Sequence, residues 1–96
     1  MADAVYVVTK LGVTPDRFDM TDQERAGMIQ KANEVREKAG GERVMMLGCY
    51  AGNGRSVIID KFPSIAAYEG YRTAIFESGL GKYWTIDSEL CFKRGE

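Results

Sequence analysis

The chain has 96 residues, a length that allows one hydrophobic core and therefore one domain covering residues 1–96. Hydrophobic residues make up 45% of the sequence and charged residues 28%, a balance that is typical of a folded globular protein and excludes a disordered one. The formal net charge of -1 provides no broad positive field for nucleic-acid phosphates, so we expect no nucleic-acid partner.

The sequence carries no recognisable membrane or export signal. No apolar run approaches the roughly 20 residues that a bilayer-spanning helix needs. The amino-terminal residues MADAVYVVTK lack the basic region and apolar stretch of a secretory signal. We therefore expect no membrane partner and a cytoplasmic location.

Histidine is absent, and this absence restricts the possible chemistry more than any other feature. It excludes a histidine general base, nucleophiles activated by histidine, and imidazole ligands for haem or metals. The two cysteines, Cys49 and Cys91, have neither C-x-x-C spacing nor a secretory context, so we expect free thiols. We expect no metal and no cofactor.

The first part of the chain predicts a strand followed by a helix. Ala4 to Leu11 is rich in β-branched and aromatic residues and ends at Gly12, which is typical of a strand. Thr21 and Glu24 have capping-box spacing, so a helix begins after Thr21, and Gly40-Gly41 can adopt the left-handed conformation that ends it. The expected buried stripe of this helix consists of Met28, Ile29, Ala32, Val35, Arg36 and Ala39.

The second part predicts a hairpin, a helix and a last strand. Arg43 to Ala51 and Arg55 to Phe62 have strand composition, and Asn53-Gly54 between them favours a tight turn. Ser64 can cap the following helix. Trp84 to Lys93 alternates in polarity as the fourth strand. The expected buried stripe of the second helix consists of Ile65, Tyr68, Arg72, Ile75 and Phe76.

The order βαββαβ predicts a ferredoxin-like α+β fold, with a four-stranded antiparallel sheet in the order 4-1-3-2 and both helices on one face. The central strands carry apolar side chains on both faces, as the neighbours Val7 and Val8 illustrate. A bare apolar face usually marks an interface, so we expect a homodimer through this sheet face. The alternative is a monomer with scattered exposed valines. The same strand order places Cys49 and Cys91 on opposite edges, which excludes an intrachain disulfide.

With these elements, the chain resembles the dimeric α/β barrel superfamily, which includes small cofactor-independent monooxygenases and muconolactone isomerases. The best local likeness is IIDKFPSIAAYEGYRTAIFESGLGKYW, Ile58 to Trp84, which is similar to the third strand and second helix of such proteins, including the Phe-Pro-Ser entry to the helix. The resemblance implies sheet-to-sheet pairing of two copies as a dimeric α/β barrel. Branches that use histidine to degrade haem or convert chlorite do not fit a chain without histidine.

The remaining branch resembles quinone-forming monooxygenases, in which Trp, Asn, Tyr and Arg line a pocket between helices and sheet. None of its short motifs is matched here, so no catalytic set is carried over from it. The resemblance marks an uncharacterised branch of the superfamily.

Asp60 and Arg72 are the candidate catalytic residues. Asp60 lies beside Ile58 and Ile59 on the third predicted strand, where burial would raise the pKa of its carboxyl group and suit it to act as a general base. Arg72 interrupts the buried stripe of the second helix, where it could hold an anionic or carbonyl group. Two structural alternatives stay open: a basic partner for Asp60 near the strand end, and an ion pair of Arg72 with Asp60 or Asp87.

Tyr68, Trp84, Tyr6 and Cys49 are the candidate substrate-binding residues. The aromatic side chains gather around the second helix, its exit and the first strand, and could line a cleft for a flat apolar ligand. Aromatic core packing is the alternative for these residues. For Cys49, the alternative is a buried, inert thiol.

The sequence therefore predicts a small homodimeric protein that binds an apolar or aromatic metabolite, as a cofactor-independent monooxygenase or isomerase. In this scheme Asp60 takes a proton from the substrate, Arg72 stabilises the resulting enolate, and the aromatic side chains position the ring. The alternative is a non-catalytic dimerisation or ligand-sensing protein.

Overall fold

The computed structural model describes residues 4–49 and 55–94 and has the predicted order of elements. Short 3-10 turns, Pro15–Arg17 and Leu80–Tyr83, precede the first helix and the last strand. The predicted Asn53-Gly54 turn lies outside the described residues. The strands and helices are β1 (Val5–Val13), α1 (Asp22–Lys38), β2 (Glu42–Gly48), β3 (Ser56–Phe62), α2 (Ile65–Glu77) and β4 (Trp84–Cys91).

The four strands form one antiparallel sheet in the order β2-β3-β1-β4, which is the predicted order read from the other edge. The prediction of a ferredoxin-like α+β fold is therefore confirmed. β1 runs two residues beyond its predicted end because Gly12 and Val13 pair with Thr85 and Trp84 of β4. A Cβ atom on Gly12 would collide with the Thr85 side chain, so glycine here permits the close pairing.

Both helices begin at the predicted caps. The Thr21 hydroxyl accepts a hydrogen bond from the Glu24 backbone N–H at 3.1 Å, and the Glu24 carboxylate accepts one from the Thr21 N–H at 2.9 Å. These two bonds, the backbone one first, lower the pKa of Glu24. Ser64 accepts from the backbone N–H of Ala67 at 3.1 Å and caps α2 in the same way. Gly40, at φ +84°, ends α1 as predicted.

The structure decides which face of the sheet meets the helices. Val5, Val7 and Thr9 of β1 are buried under the helices, whereas Tyr6 and Val8 are only half-buried on the other side. We call these two sides the helix face and the open face. Within the described residues, no helix combines the length and apolarity needed to cross a bilayer.

The core consists of two small clusters on the helix face. One contains Val5, Val7, Phe62 and Tyr68, and joins β1 and β3 to α2. The second contains Met28, Ile75 and Leu80, and joins the two helices to the second 3-10 turn.

The predicted buried stripes of the helices are only partly buried, which corrects the sequence analysis. In α1, Ile29 is exposed; in α2, Ile65, Arg72 and Phe76 are exposed. The reason is that part of the space between the helices and the sheet is an open cleft instead of packed side chains.

Gly41 is a position where any side chain would disturb the core. A Cβ atom there would lie 2.5 Å from the Phe62 ring and 2.7 Å from Cγ of Arg36, and Phe62 is fully buried. We expect Gly41→Ala to lower the free energy of unfolding by about 1 to 3 kcal/mol, because the core cannot move to accept the methyl group.

Gly70→Ala is the matched control, since nothing lies within 4 Å of a Cβ at Gly70 in the interior of α2. This substitution should leave stability unchanged or raise it by up to about 1 kcal/mol through helix propensity. Urea denaturation of both variants measures the difference. Equal stability of the two variants would contradict the packing described for Gly41.

Candidate functional site

A cleft of about 480 Å³ lies between the helix face of the sheet and the two helices. Its floor is made by alternate residues of all four strands, because side chains on one face of a sheet recur every second position. Its roof comes from both helices, chiefly through Ile29 and Ala32 of α1 and through Tyr71 and Ile75 of α2.

The middle of the floor is uncharged. Ile58 of β3 is buried there, and Thr9 of β1 stands opposite Ser88 of β4. The Thr9 and Ser88 hydroxyls are hydrogen-bonded to each other at 2.9 Å. This bond satisfies both hydroxyls across the β1–β4 pair, and the surrounding floor is apolar.

Asp60 lies in the cleft floor and is buried, with 5% of its surface exposed. Its carboxylate forms an ion pair with Arg43: Nε of Arg43 donates to Oδ1 at 2.7 Å and Nη2 donates to Oδ2 at 3.5 Å. The pair follows from the sheet register, which places Arg43 of β2 directly opposite Asp60 of β3. Of the structural alternatives for Asp60, a basic partner near a strand end is the one that the structure contains.

Arg72 also lines the cleft, but it does not contact Asp60 through an ion pair. Its side chain is exposed on α2, and its guanidinium carbon lies 5.9 Å from the centre of the Phe76 ring. The alternative in which Arg72 pairs with Asp60 is therefore wrong, because Arg43 already occupies both carboxylate oxygens. Arg72 instead lies beside the exposed Phe76, another residue that lines the cleft.

Tyr68 lines the cleft within an aromatic cluster. Its ring centre lies 5.6 Å from that of Phe62 in an edge-on arrangement, and Tyr71 lies 5.2 Å from Phe62. Burial, and secondly the negative charge of Asp60, raise the pKa of Tyr71. Tyr71 is therefore a neutral hydroxyl at physiological pH, able to donate a hydrogen bond near Asp60. It was not among the predicted site residues, although its spacing of three from Tyr68 on α2 marks the same helix face.

Trp84 lines the opposite end of the cleft, together with Arg17. The guanidinium carbon of Arg17 lies 5.9 Å from the centre of the Trp84 ring. Arg17 belongs to the 3-10 turn after β1, in a loop that has no helical or strand periodicity. No pattern in the sequence indicated that this loop folds back onto the start of β4, so Arg17 was missed.

Tyr6 and Cys49, two predicted binding residues, do not line the cleft. Tyr6 points to the open face, where the Lys61 ammonium lies 5.9 Å from its ring centre. The alternation of side chains along β1 sends Val5 and Val7 to the helices and Tyr6 away from them. Cys49 is exposed just beyond the end of β2, so the alternative of a buried thiol is also wrong. Cys49 and Cys91 are both free, as predicted.

Among residues 4–49 and 55–94, no group of three acidic or thiol side chains has the spacing of a metal site. The polar groups of the cleft are guanidinium, carboxylate, amide, hydroxyl and indole groups. Such groups can bind and orient an organic molecule, and the carboxylate can accept a proton from it.

Two solved structures share this fold. One is described as "Putative antibiotic biosynthesis monooxygenase from Bacteriodes thetaiotaomicron VPI-5482"; it has a TM-score of 0.57 and 12% identity, over 97% of this chain and 90% of its own. The other is the methylated RPA0582 protein, with a TM-score of 0.56 and 19% identity over 100% of this chain and 86% of its own. No protein-family model and no curated protein matches the chain. The predicted resemblance is thus confirmed at the level of the fold.

The Arg43–Asp60 pair predicts an asymmetric response to removing either partner. The Asp60 side chain is 7% exposed and that of Arg43 is 30% exposed. Arg43→Met would leave a buried carboxylate without its partner and should cost on the order of 2 to 3 kcal/mol of stability. Asp60→Asn leaves a guanidinium that can reach water and should cost about 1 kcal/mol.

The double variant should cost clearly less than the sum of the two single variants, because it leaves no unpaired charge. Chemical denaturation of the four proteins closes this double-mutant cycle. Strict additivity would show that the two groups do not stabilise each other.

Proposed function

We propose that the protein is a homodimer that binds a small apolar or aromatic metabolite in the cleft, as a cofactor-independent monooxygenase or isomerase. The observation that carries this proposal is the cleft itself, since about 480 Å³ lies within the size range of small-molecule sites. Its walls are largely apolar, and a few polar groups converge on it, which is the usual composition of such sites.

Asp60 and Arg72 are the proposed reacting groups. Arg43 donates two hydrogen bonds to Asp60, and a carboxylate has about four acceptor positions, so Asp60 keeps the capacity to accept a substrate proton. The proton would leave an acidic C–H or O–H bond of the substrate, and Arg72 would stabilise the enolate that remains. Return of the proton to a different carbon gives an isomerase; reaction of the enolate with dioxygen gives a monooxygenase.

Tyr68 and Trp84 are proposed to position the ring of the substrate. Both line the cleft, Tyr68 at the end near Phe62 and Trp84 at the end near Arg17. Tyr71, a neutral donor near Asp60, is a proposed addition to this set.

The open face supports the dimer. Val8 of β1 pairs with Ile59 of β3 in its centre, and Met45 and Leu47 of β2 continue the apolar surface outward, each about half exposed. No helix covers these side chains in one copy of the chain. Pairing of two open faces around a twofold axis would remove this apolar surface from water.

The second candidate is a non-catalytic dimerisation or ligand-sensing protein. It is favoured by the Arg43–Asp60 ion pair, because a carboxylate that is fully engaged in holding two strands together would not act as a base. Loss of turnover, without loss of folding or ligand binding, in Asp60→Asn would decide for the enzyme once a substrate is found.

Ligand binding in the cleft can be tested with a neutral aromatic probe, N-phenylnaphthylamine, whose fluorescence rises in apolar sites. Ala32 lines the cleft on α1, so Ala32→Trp should fill it and weaken probe binding about tenfold or more. Ala66→Trp is the matched control, since Ala66 is exposed on α2 away from the cleft. Equal binding by both variants would place the probe outside the cleft and contradict the proposal.

The dimer can be tested by placing a charge in the centre of the open face. Ile59→Glu should convert a dimer into a monomer, because a carboxylate would be buried against an apolar surface without a partner. Thr73→Glu, at an exposed position of α2, should leave the dimer intact. Native mass spectrometry measures the mass and reveals any co-purified ligand. A monomeric mass for the unchanged protein at micromolar concentration would refute the pairing.

A further inference from the structure

The charges that line the cleft do not balance. Four charged side chains line it: Arg17, Arg43, Arg72 and Asp60. Arg43 and Asp60 neutralise each other. Within the described residues, neither Arg17 nor Arg72 has a carboxylate oxygen within ion-pair distance. A chain with a net charge of -1 therefore surrounds its cleft with two uncompensated guanidinium groups.

Arg17 is the more constrained of these two groups. Its Nε atom is buried and has no hydrogen-bond partner. An unsatisfied buried donor is costly, and the cost is larger for a charged group, so such an atom is a ready site for an acceptor. Burial, and secondly the nearby guanidinium of Arg25, lower the pKa of Arg17. Arg17 nevertheless stays protonated near neutral pH, because guanidinium groups do not lose their proton in proteins.

The surroundings of Arg17 are suited to an aromatic ligand. The Trp84 indole lies beside the guanidinium, at 5.9 Å from ring centre to guanidinium carbon, and both groups line the cleft. A ligand ring packed against Trp84 would place a substituent near Arg17. The guanidinium fork matches the planar geometry of a carboxylate and can donate two parallel hydrogen bonds to it.

The negative charge of Asp60 lies far from this end of the cleft. Val7 of β1 pairs with Asp60, and Val13 of β1 pairs with Trp84. These two positions are six residues apart on one strand, which is roughly 20 Å. Asp60 is moreover neutralised by Arg43, so it would repel an anion at Arg17 only weakly.

We propose that the ligand of this cleft is an aromatic anion, such as an aromatic carboxylate, with its ring against Trp84 and its negative group bound by Arg17. Arg72 contributes a second positive charge to the same cleft. This inference rests on the proposed function, because it names the class of ligand that the cleft takes. It adds Arg17 as a residue that determines ligand specificity.

The test compares two probes that share one ring system. Anilinonaphthalene sulfonate carries a negative group, and N-phenylnaphthylamine is its neutral counterpart. Arg17→Met removes the charge and keeps an apolar stem against Trp84. It should weaken binding of the sulfonate about tenfold, because one charge-assisted interaction is lost, and change binding of the neutral probe less than twofold.

Two further variants separate charge from folding. Arg17→Lys keeps the positive charge and should retain most of the affinity for the sulfonate. Arg94→Met makes the same chemical change at an exposed arginine outside the cleft and should affect neither probe. Thermal melting of each variant verifies that it is folded.

The outcomes distinguish the inference from the proposed function. An equal loss of both probes in Arg17→Met, or no loss of either, would overturn the role of Arg17 in anion binding while leaving the cleft as an aromatic site. Failure of the unchanged protein to bind the neutral probe would overturn the proposed function itself.

Discussion

The pairing of β1 with β3 in the centre of the sheet is the constraint from which the remaining features follow. Both strands carry apolar side chains on both faces, and the register that sets Val5 opposite Phe62 and Val8 opposite Ile59 keeps each apolar set on one side. One side is covered by the helices and supplies the core. The other side is an apolar surface that folding of a single chain does not cover, and its burial requires a second molecule.

The helices cover the sheet without filling the space above it. The two core clusters hold α2 at the end of β3 and at the second 3-10 turn, and the cleft lies between these two attachments. Exposed side chains such as Ile29 and Phe76 on the inner sides of the helices are consistent with this arrangement, because they line the cleft. The incomplete packing that costs the domain stability is the same feature that makes room for a ligand.

The electrostatics of the cleft are divided between its two ends. At one end the Arg43–Asp60 pair links the edge strand β2 to β3, and it keeps a carboxylate available within an otherwise apolar floor. At the other end Arg17 and Trp84 combine a positive charge with an aromatic surface. A ligand with one reactive end and one charged end would match this division, and a neutral symmetric molecule would not use it.

The sequence by itself determined the order of elements, the caps at Thr21 and Ser64 and the sheet order, because these depend on short-range patterns and on the few topologies that a βαββαβ chain can adopt. It also determined that the sheet is apolar on both faces. Only the tertiary structure decided which face meets the helices, and with it the removal of Tyr6 from the cleft. Tertiary structure also assigned Asp60 to Arg43 and brought Arg17 into the cleft. Ion-pair partners and loop positions are set by contacts between residues distant in the chain, and no local pattern encodes them.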